Sequence, residues 1–187
     1  MTKKILLAVS GSIAAYKAAD LSHQLTKLGY HVNVLMTNAA KQFIPPLTLQ
    51  VLSKNPVYSN VMKEDDPQVI NHIALAKQAD LFLLAPASAN TLAHLAHGFA
   101  DNIVTSVALA LPLEVPKFFA PAMNTKMYEN PITQSNIALL KKFGYKEIQP
   151  KSSVLACGDV GSGALACLLY TSPSPRDATL SRMPSSA

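Results

Sequence analysis

The sequence predicts a doubly wound α/β fold, a single domain built on a parallel sheet. Three observations carry this. A short apolar run stops at a small, polar turn; the apolar period changes to a helical one just after it; and the same alternation then recurs along the chain. The first run, Lys4–Val9 (KILLAV), ends at Ser10-Gly11-Ser12, as a strand buried on both faces does. Ala14, Ala18, Leu21, Leu25 and Leu28 then fall on one helical face, and Gly29 closes that helix. His31–Met36 reads as the second strand, which completes a right-handed βαβ unit.

The alternation continues with a helix over Asn71–Gln78, a strand over Asp80–Ala85 and a helix over Asn90–Ala96. Asn102–Leu111 reads as an apolar helix and Lys117–Ala120 as a strand. Ile132–Phe143 reads as a helix capped by Gly144, and Tyr145–Ile148 as a short last strand. The fold is thus flavodoxin- or Rossmann-like, with the domain expected over residues 1–166. Residues 167–187 are a tail of another kind: from Tyr170 to Ala187 there are five Ser and three Pro and no apolar period, so it is left out of the fold. Sheets of this class bind ligands at the carboxyl ends of their strands. The loops to watch are therefore Ser10–Ser12, Met36–Asn38, Pro86–Thr91 and Pro121–Asn124.

Composition narrows the class further. With 49% hydrophobic and 14% charged residues in 187, the chain is not disordered, and so low a charge favours a surface partly covered by other copies. The apolar stretches fall well short of the roughly 20 residues of a membrane span. The start, Met1-Thr2-Lys3-Lys4 and a brief apolar run, lacks a signal-peptide pattern, so a cytoplasmic protein away from membranes is expected. Two cysteines, Cys157 and Cys167, make neither a disulfide framework nor a metal site. The net charge of +5 comes from scattered Lys and Arg, Trp is absent and aromatics are 6%, which speaks against nucleic acid. A phosphorylated small molecule suits this mild positive balance.

The chemistry-bearing segments are few. Ser10-Gly11-Ser12 is neither a Walker loop nor GxGxxG, yet a glycine, hydroxyls and a helix start suit a phosphate; alone, it reads better as a capped turn. Pro86-Ala87-Ser88-Ala89-Asn90-Thr91 has more small and polar residues than one cap needs, and Pro121-Ala122-Met123-Asn124 repeats the design at the next strand end. His94 and His97 lie three apart with no third ligand nearby, so packing is the better reading than zinc. His72 opens a helix after a polar, acidic loop, a candidate for acid–base work. Cys157 precedes Gly158, Gly161 and Gly163, the composition of a mobile flap, although composition alone favours a loop with an incidental buried thiol.

Together, these segments resemble the homo-oligomeric flavin-containing cysteine decarboxylases. The resemblance rests on Gly11–Lys17, His72-Ile73, Pro86–Thr91, Pro121–Met127 (PAMNTKM) and Leu155–Gly163 (LACGDVGSG), and covers residues 3–166. It implies FMN as cofactor, with the flavin phosphate on Gly11, Ser12 and Ser88, Ala89, Asn90 and Thr91, and with Met36, Thr37 and Ala122 lining the flavin. It further implies His72 as acid/base, Asn124 with Met123 as the substrate-binding pair, and Cys157 as donor of the last proton. The substrate implied is a phosphorylated thiol, 4′-phospho-N-pantothenoylcysteine, which becomes 4′-phosphopantetheine on the way to coenzyme A. Homotrimers, or dodecamers built from trimers, are implied as well.

Two departures from the family pattern stand out. Gly163 is followed by Ala164-Leu165-Ala166 where relatives often have Arg-Met, and the tail replaces a C-terminal helix. The length also leaves no room for a fused synthetase domain, so a stand-alone decarboxylase is expected. Rival readings are a peptidyl-cysteine oxidative decarboxylase, which would need no proton donor such as Cys157, and a flavin prenyltransferase, which would not need His72 with the Pro-Ala-Met-Asn loop. A non-catalytic flavin-binding regulator would carry acidic extensions, and a nucleotide-binding module without chemistry is the plainest option.

Overall fold

The computed structural model describes residues 2–63, 69–154 and 160–165. One six-stranded sheet organises them, in the order β3-β2-β1-β4-β5-β6. The strands are β1 (Lys4–Val9), β2 (His31–Met36), β3 (Val57–Tyr58), β4 (Leu81–Ala87), β5 (Lys117–Pro121) and β6 (Tyr145–Glu147), all paired in parallel. The helices are α1 (Lys17–Lys27), α2 (Pro46–Ser53), α3 (Asn71–Gln78), α4 (Ala89–Ala96), α5 (Ile103–Ala110), α6 (Thr125–Glu129) and α7 (Pro131–Lys142). A two-stranded antiparallel hairpin, β7 (Lys151–Val154) with β8 (Val160–Ala164), lies outside the sheet.

Both faces of the sheet are covered, which is why its strands read as unbroken apolar runs. Along β1 the side chains alternate: Leu6 and Ala8 join the core cluster of Phe82, Leu92, Val107, Phe119 and Leu140. Leu7 and Val9 join the opposite cluster with Leu21, Val34, Leu49 and Ala120. Local chemistry sets the ends of several helices. Gly29 and Gly144 follow α1 and α7 at φ of +87° and +86°. Asn102 opens α5 with a capping box, its side chain accepting from the Thr105 N–H while Thr105 Oγ1 accepts from the Asn102 N–H.

The fold class agrees with the sequence reading, and the departures are local. The helix expected from Ile13 begins as a 3-10 turn, Ile13–Tyr16, before α1. The fourth and fifth strands run on to Ala87 and Pro121. Two helices were not expected: α2, whose Pro46 sits at the helix start, and the five-residue α6. The glycine-rich stretch, read as a flap, forms a strand over Val160–Ala164. The tail from residue 166 onward lies outside the described residues.

Candidate active site

The strand order reverses between β1 and β4, and the crevice outside those two strand ends is where such sheets hold ligands. Ser10, the first residue past β1, joins the two ends. Its Oγ donates to the Pro86 carbonyl at 2.8 Å and accepts from the Ser88 N–H at 2.8 Å. Ser88 is the N-cap of α4: its Oγ accepts from the Thr91 N–H at 3.3 Å and lies 3.2 Å from Thr91 Oγ1. Ser12 reaches the next strand end, donating to the Ala122 carbonyl at 3.1 Å and accepting from the Ala14 N–H at 3.3 Å. The Thr37 N–H donates to the Val9 carbonyl and the Ala122 N–H to the Ala87 carbonyl, both at 3.1 Å. The ends of β2, β1, β4 and β5 thus form one rim whose hydroxyls bond protein.

What the rim can offer a ligand is mainly backbone. The N–H groups of Ala89 and Asn90 open α4, where no intrahelical carbonyl can reach them, and the positive end of the helix dipole lies there. That favours an anion. The small side chains of Ala87, Ala89 and Ala122 let a flat ring lie close to the chain. This donor set fits the flavin phosphate implied by the resemblance, with amides rather than serine hydroxyls as the first donors.

Gly11, expected to leave room for a phosphate, also admits the loop after β2, since a Cβ there would meet Ala39 Cβ at 2.5 Å. Met36 was expected to line the flavin. It is 0% exposed, packed in the core cluster of Leu49 and Ala120, and its part is to carry Thr37 to the rim. Thr37 is itself buried, with Oγ1 accepting from the Ala40 N–H at 3.2 Å.

The β5 loop is held differently. The Met123 N–H donates to the Gly163 carbonyl of β8 at 3.0 Å. Asn124 caps α6, its Oδ1 accepting from the Lys126 N–H at 2.9 Å. Four residues on, Tyr128 donates its hydroxyl to Glu147 Oε1 at 2.8 Å, and Gln134 Nε2 donates to the Tyr128 carbonyl at 2.6 Å. The Glu147 side chain is 2% exposed and also accepts from Lys141 Nζ at 2.5 Å and Gln149 Nε2 at 3.1 Å. Burial, then the hydrogen bond and charge of Glu147, push the Tyr128 phenol up to about 12.

His72, the second residue of α3, stands apart from this rim. It lines a cavity of about 540 Å³ with Val61, Met62, Ile73, Ser106 and Leu109, and no strand-end residue shares that lining. Its Nδ1 is buried and has no partner among the described residues. The structure therefore brings Ser12, Ser88, Ala89, Asn90, Thr91, Ala122, Met123 and Asn124 to neighbouring strand ends, but not His72. Cys157 lies outside the described residues. His94 turns Nδ1 to Asp101 at 3.1 Å and His97 turns Nε2 to Asn136 at 3.0 Å, both structural pairings. No group of metal-ligating side chains occurs among the described residues.

Sequence reasoning named the Ser10–Ser12 turn but not Ser10 as its hub. A hydroxyl directly after a buried strand, facing a second strand that also ends in Ser, is the signal it could have used. Nothing local marked Tyr128, whose partner is 19 residues away. The same holds for the pairing of Met123 with Gly163.

Comparison with known proteins fits this site. The chain is 99% identical over 168 residues to the "Probable phosphopantothenoylcysteine decarboxylase" of Streptococcus mutans, covering 90% of this chain and 94% of that one. It spans 40% of the length of the bifunctional coenzyme A biosynthesis proteins it also matches. Among solved structures, a cysteine-to-serine mutant of PPC decarboxylase complexed with pantothenoylaminoethenethiol superposes with a TM-score of 0.77 at 34% identity, covering 97% of each chain. The FMN-binding protein AtHal3 gives 0.76 at 35% identity, covering 97% of this chain and 96% of that one. The family model described as Flavoprotein matches residues 1–168, and the chain belongs to that family.

Proposed function

We infer that this chain is an FMN-dependent decarboxylase that converts 4′-phospho-N-pantothenoylcysteine to 4′-phosphopantetheine in coenzyme A biosynthesis. The observation that carries the reading is the 99% identity, over nearly the whole of both chains, to a probable decarboxylase of that substrate. The rim supports it, since amides at the start of α4 and small residues around them suit a flat group bearing a phosphate. The same identity weighs against the peptidyl-cysteine and regulator readings.

The residues of the chain divide the work. An α-carboxylate alone has nowhere to place the electron pair that CO2 leaves behind. Bound FMN would supply that sink, a two-electron oxidation of the cysteine CH2–SH to a thioaldehyde that is reversed once CO2 has gone. Ser88, Ala89, Asn90 and Thr91, with Ser12, would hold its phosphate, and Thr37 and Ala122 would border its ring. His72 would take up the thiol proton. Asn124, placed by the α6 cap and neighboured by Met123, would orient the carboxylate. Cys157 would deliver a proton to carbon in the last reduction, so that CO2 is the net loss. The aminoethenethiol in the cysteine-to-serine relative is a molecule that has lost CO2 but has not regained two electrons.

The working unit would be a homotrimer, alone or gathered into a dodecamer, in the cytoplasm. Two observations support assembly: His72 opens on a cavity that the rim does not reach, and Ile13, Tyr16, Leu47 and Val51 present apolar side chains to solvent. A neighbouring copy would bring base and rim together. The test is a product mass spectrum after the FMN-loaded protein meets the substrate. Loss of one CO2 is expected. Loss of CO2 with two hydrogens would move the reading to an oxidative, peptidyl type, and a yellow, folded protein without turnover would overturn it.

A further inference from the structure

We propose that the groove at the leading ends of β5 and β6 is a second binding site, which takes a single-chain amphipathic anion such as a fatty acid. A cavity of about 770 Å³ opens there, within the range of roughly 300–1,000 Å³ common to small-molecule pockets. Lys117 and Tyr145, the first residues of β5 and β6, line it, so it lies at the opposite end of the sheet from the rim. Its walls are apolar: Leu95, Phe99, Leu109, Leu111, Leu113 and Phe143 converge on it. Phe99, Leu109, Leu113 and Phe143 are open to solvent, and Leu113 is 95% exposed. Large apolar side chains gathered round one concavity and left to water mark a binding surface.

Charge selects the occupant. Lys117 is only 7% exposed, and its Nζ donates to the carbonyls of Pro112, Leu113 and Val115 at 3.0, 3.3 and 3.1 Å. These dipoles hold the ammonium without neutralising it. Lys142, exposed in the last turn of α7, is a second cation in the lining. Among the described residues no Asp or Glu belongs to that lining; Glu114, whose charge acts on Lys117, is exposed and stands outside it. An apolar slot flanked by positive charge favours a chain that ends in an anion, while a neutral chain gains only the walls and a cation is repelled. The Lys117 protons are spent on carbonyls, so Lys142 is left to meet the head group and Lys117 acts through its field.

The test reads binding directly, so it stands or falls apart from the decarboxylase reading. The FMN-loaded protein is titrated calorimetrically with decanoate below its micelle concentration. Saturable binding is expected, tightening about 4-fold per methylene from hexanoate to decanoate as the walls are covered. Decanol is expected to bind about 10-fold more weakly than decanoate. Leu113→Asp and Lys142→Glu are each expected to weaken decanoate about 10-fold at low salt. Both side chains are exposed, so the fold tolerates the changes, and Leu113→Met is expected to bind as the wild type does. Absence of saturable binding overturns the proposal, and so does equal affinity for decanol or for decyltrimethylammonium. Undiminished binding in both charge variants overturns it as well, since decanoate then sits elsewhere, in the His72 cavity for instance. Sedimentation of the variants closes the remaining route: if Leu113→Asp breaks the assembly apart, the groove is a contact between copies of this chain and the proposal falls.

Discussion

The rim at β1 and β4 and the loop after β5 both sit at strand ends, yet they are built by opposite means. At β1 and β4 the work is done by hydroxyl side chains within a few residues of their strands: Ser10 bridges the two ends, and Ser88 and Thr91 bond each other. At β5 the support comes from elsewhere in the chain, through the Gly163 carbonyl on one side and the Tyr128–Glu147 bond on the other. The first device fixes amides at a helix start, an arrangement that favours an anion. The second places a loop by parts that are themselves separate elements, so its position depends on how β6 and the hairpin pack. The two strand-end regions, proposed to hold cofactor and substrate, thus differ in what holds them.

Removing the proposed base probes whether either region can act without the third element, α3. His72→Asn is expected to lower kcat by about 10²- to 10⁴-fold while flavin absorbance stays, because neither the rim nor the β5 loop offers another group for the thiol proton. Retained turnover would break the division of labour. Ser10→Ala comes next. It leaves the Ser88 N–H without its partner, while the buried Pro86 carbonyl keeps the Ser10 N–H at 3.2 Å, which is expected to cost about 2 kcal/mol in chemical denaturation. Since Ser88 caps α4, FMN affinity falls with it. A stable variant with unchanged flavin affinity would show that the rim is held by its backbone alone.

The same contrast explains what the sequence disclosed. Strands β1 and β2 were readable to the residue because both faces are buried and their ends are marked by small polar residues. The start of α4 was readable because a cap is a local event. Helix α2 escaped notice since Leu47 and Val51 face solvent and blur its apolar period. Helix α6 is too short to show a period at all. The actual use of Gly11, the burial of Met36 and the bonds of Met123 and Tyr128 depend on Ala39, Leu49, Gly163 and Glu147. These partners lie far along the chain, and pattern carries no distance information of that kind.

Tyr128→Phe weakens the β5 support while leaving the rim intact. Glu147 keeps Lys141 and Gln149, so a loss of about 1–2 kcal/mol is expected, with KM for the substrate rising and FMN affinity unchanged. The alkaline limb provides a second readout. The folded state holds the phenolic proton, with the phenol pushed up to about 12, while the unfolded chain releases it near 10.0. This contribution is therefore full below pH 10.0 and lost as the pH climbs towards 12. The variant is expected to show a shallower fall of stability over that range, with the slope from Tyr145, also raised to about 12 by burial, still present. An unchanged slope would mean that the Tyr128–Glu147 bond does not persist in solution.

The smallest effect is expected at the far end of α4, away from both strand-end regions. His94 Nδ1 and Asp101 Oδ1 are 3.1 Å apart, and the Asp101 side chain is 56% exposed. Burial pushes the Asp101 carboxyl up, but the hydrogen bond and charge of His94 outweigh it and hold the group below its ordinary 3.8. The resulting stability is present above pH 3.8 and fades as the pH falls through the lowered value. At such exposure, water screens the pair, so Asp101→Asn is expected to change stability by no more than about 0.5 kcal/mol at neutral pH. Product ratio and flavin affinity are expected to stay put. The variant carries weight because α4 runs from its first amides at Ala89 to His94 within eight residues. Were flavin affinity to drop with Asp101→Asn, the start of α4 would be positioned by its far end. The rim would then be as dependent on remote parts as the β5 loop, and the contrast between the two regions would fail.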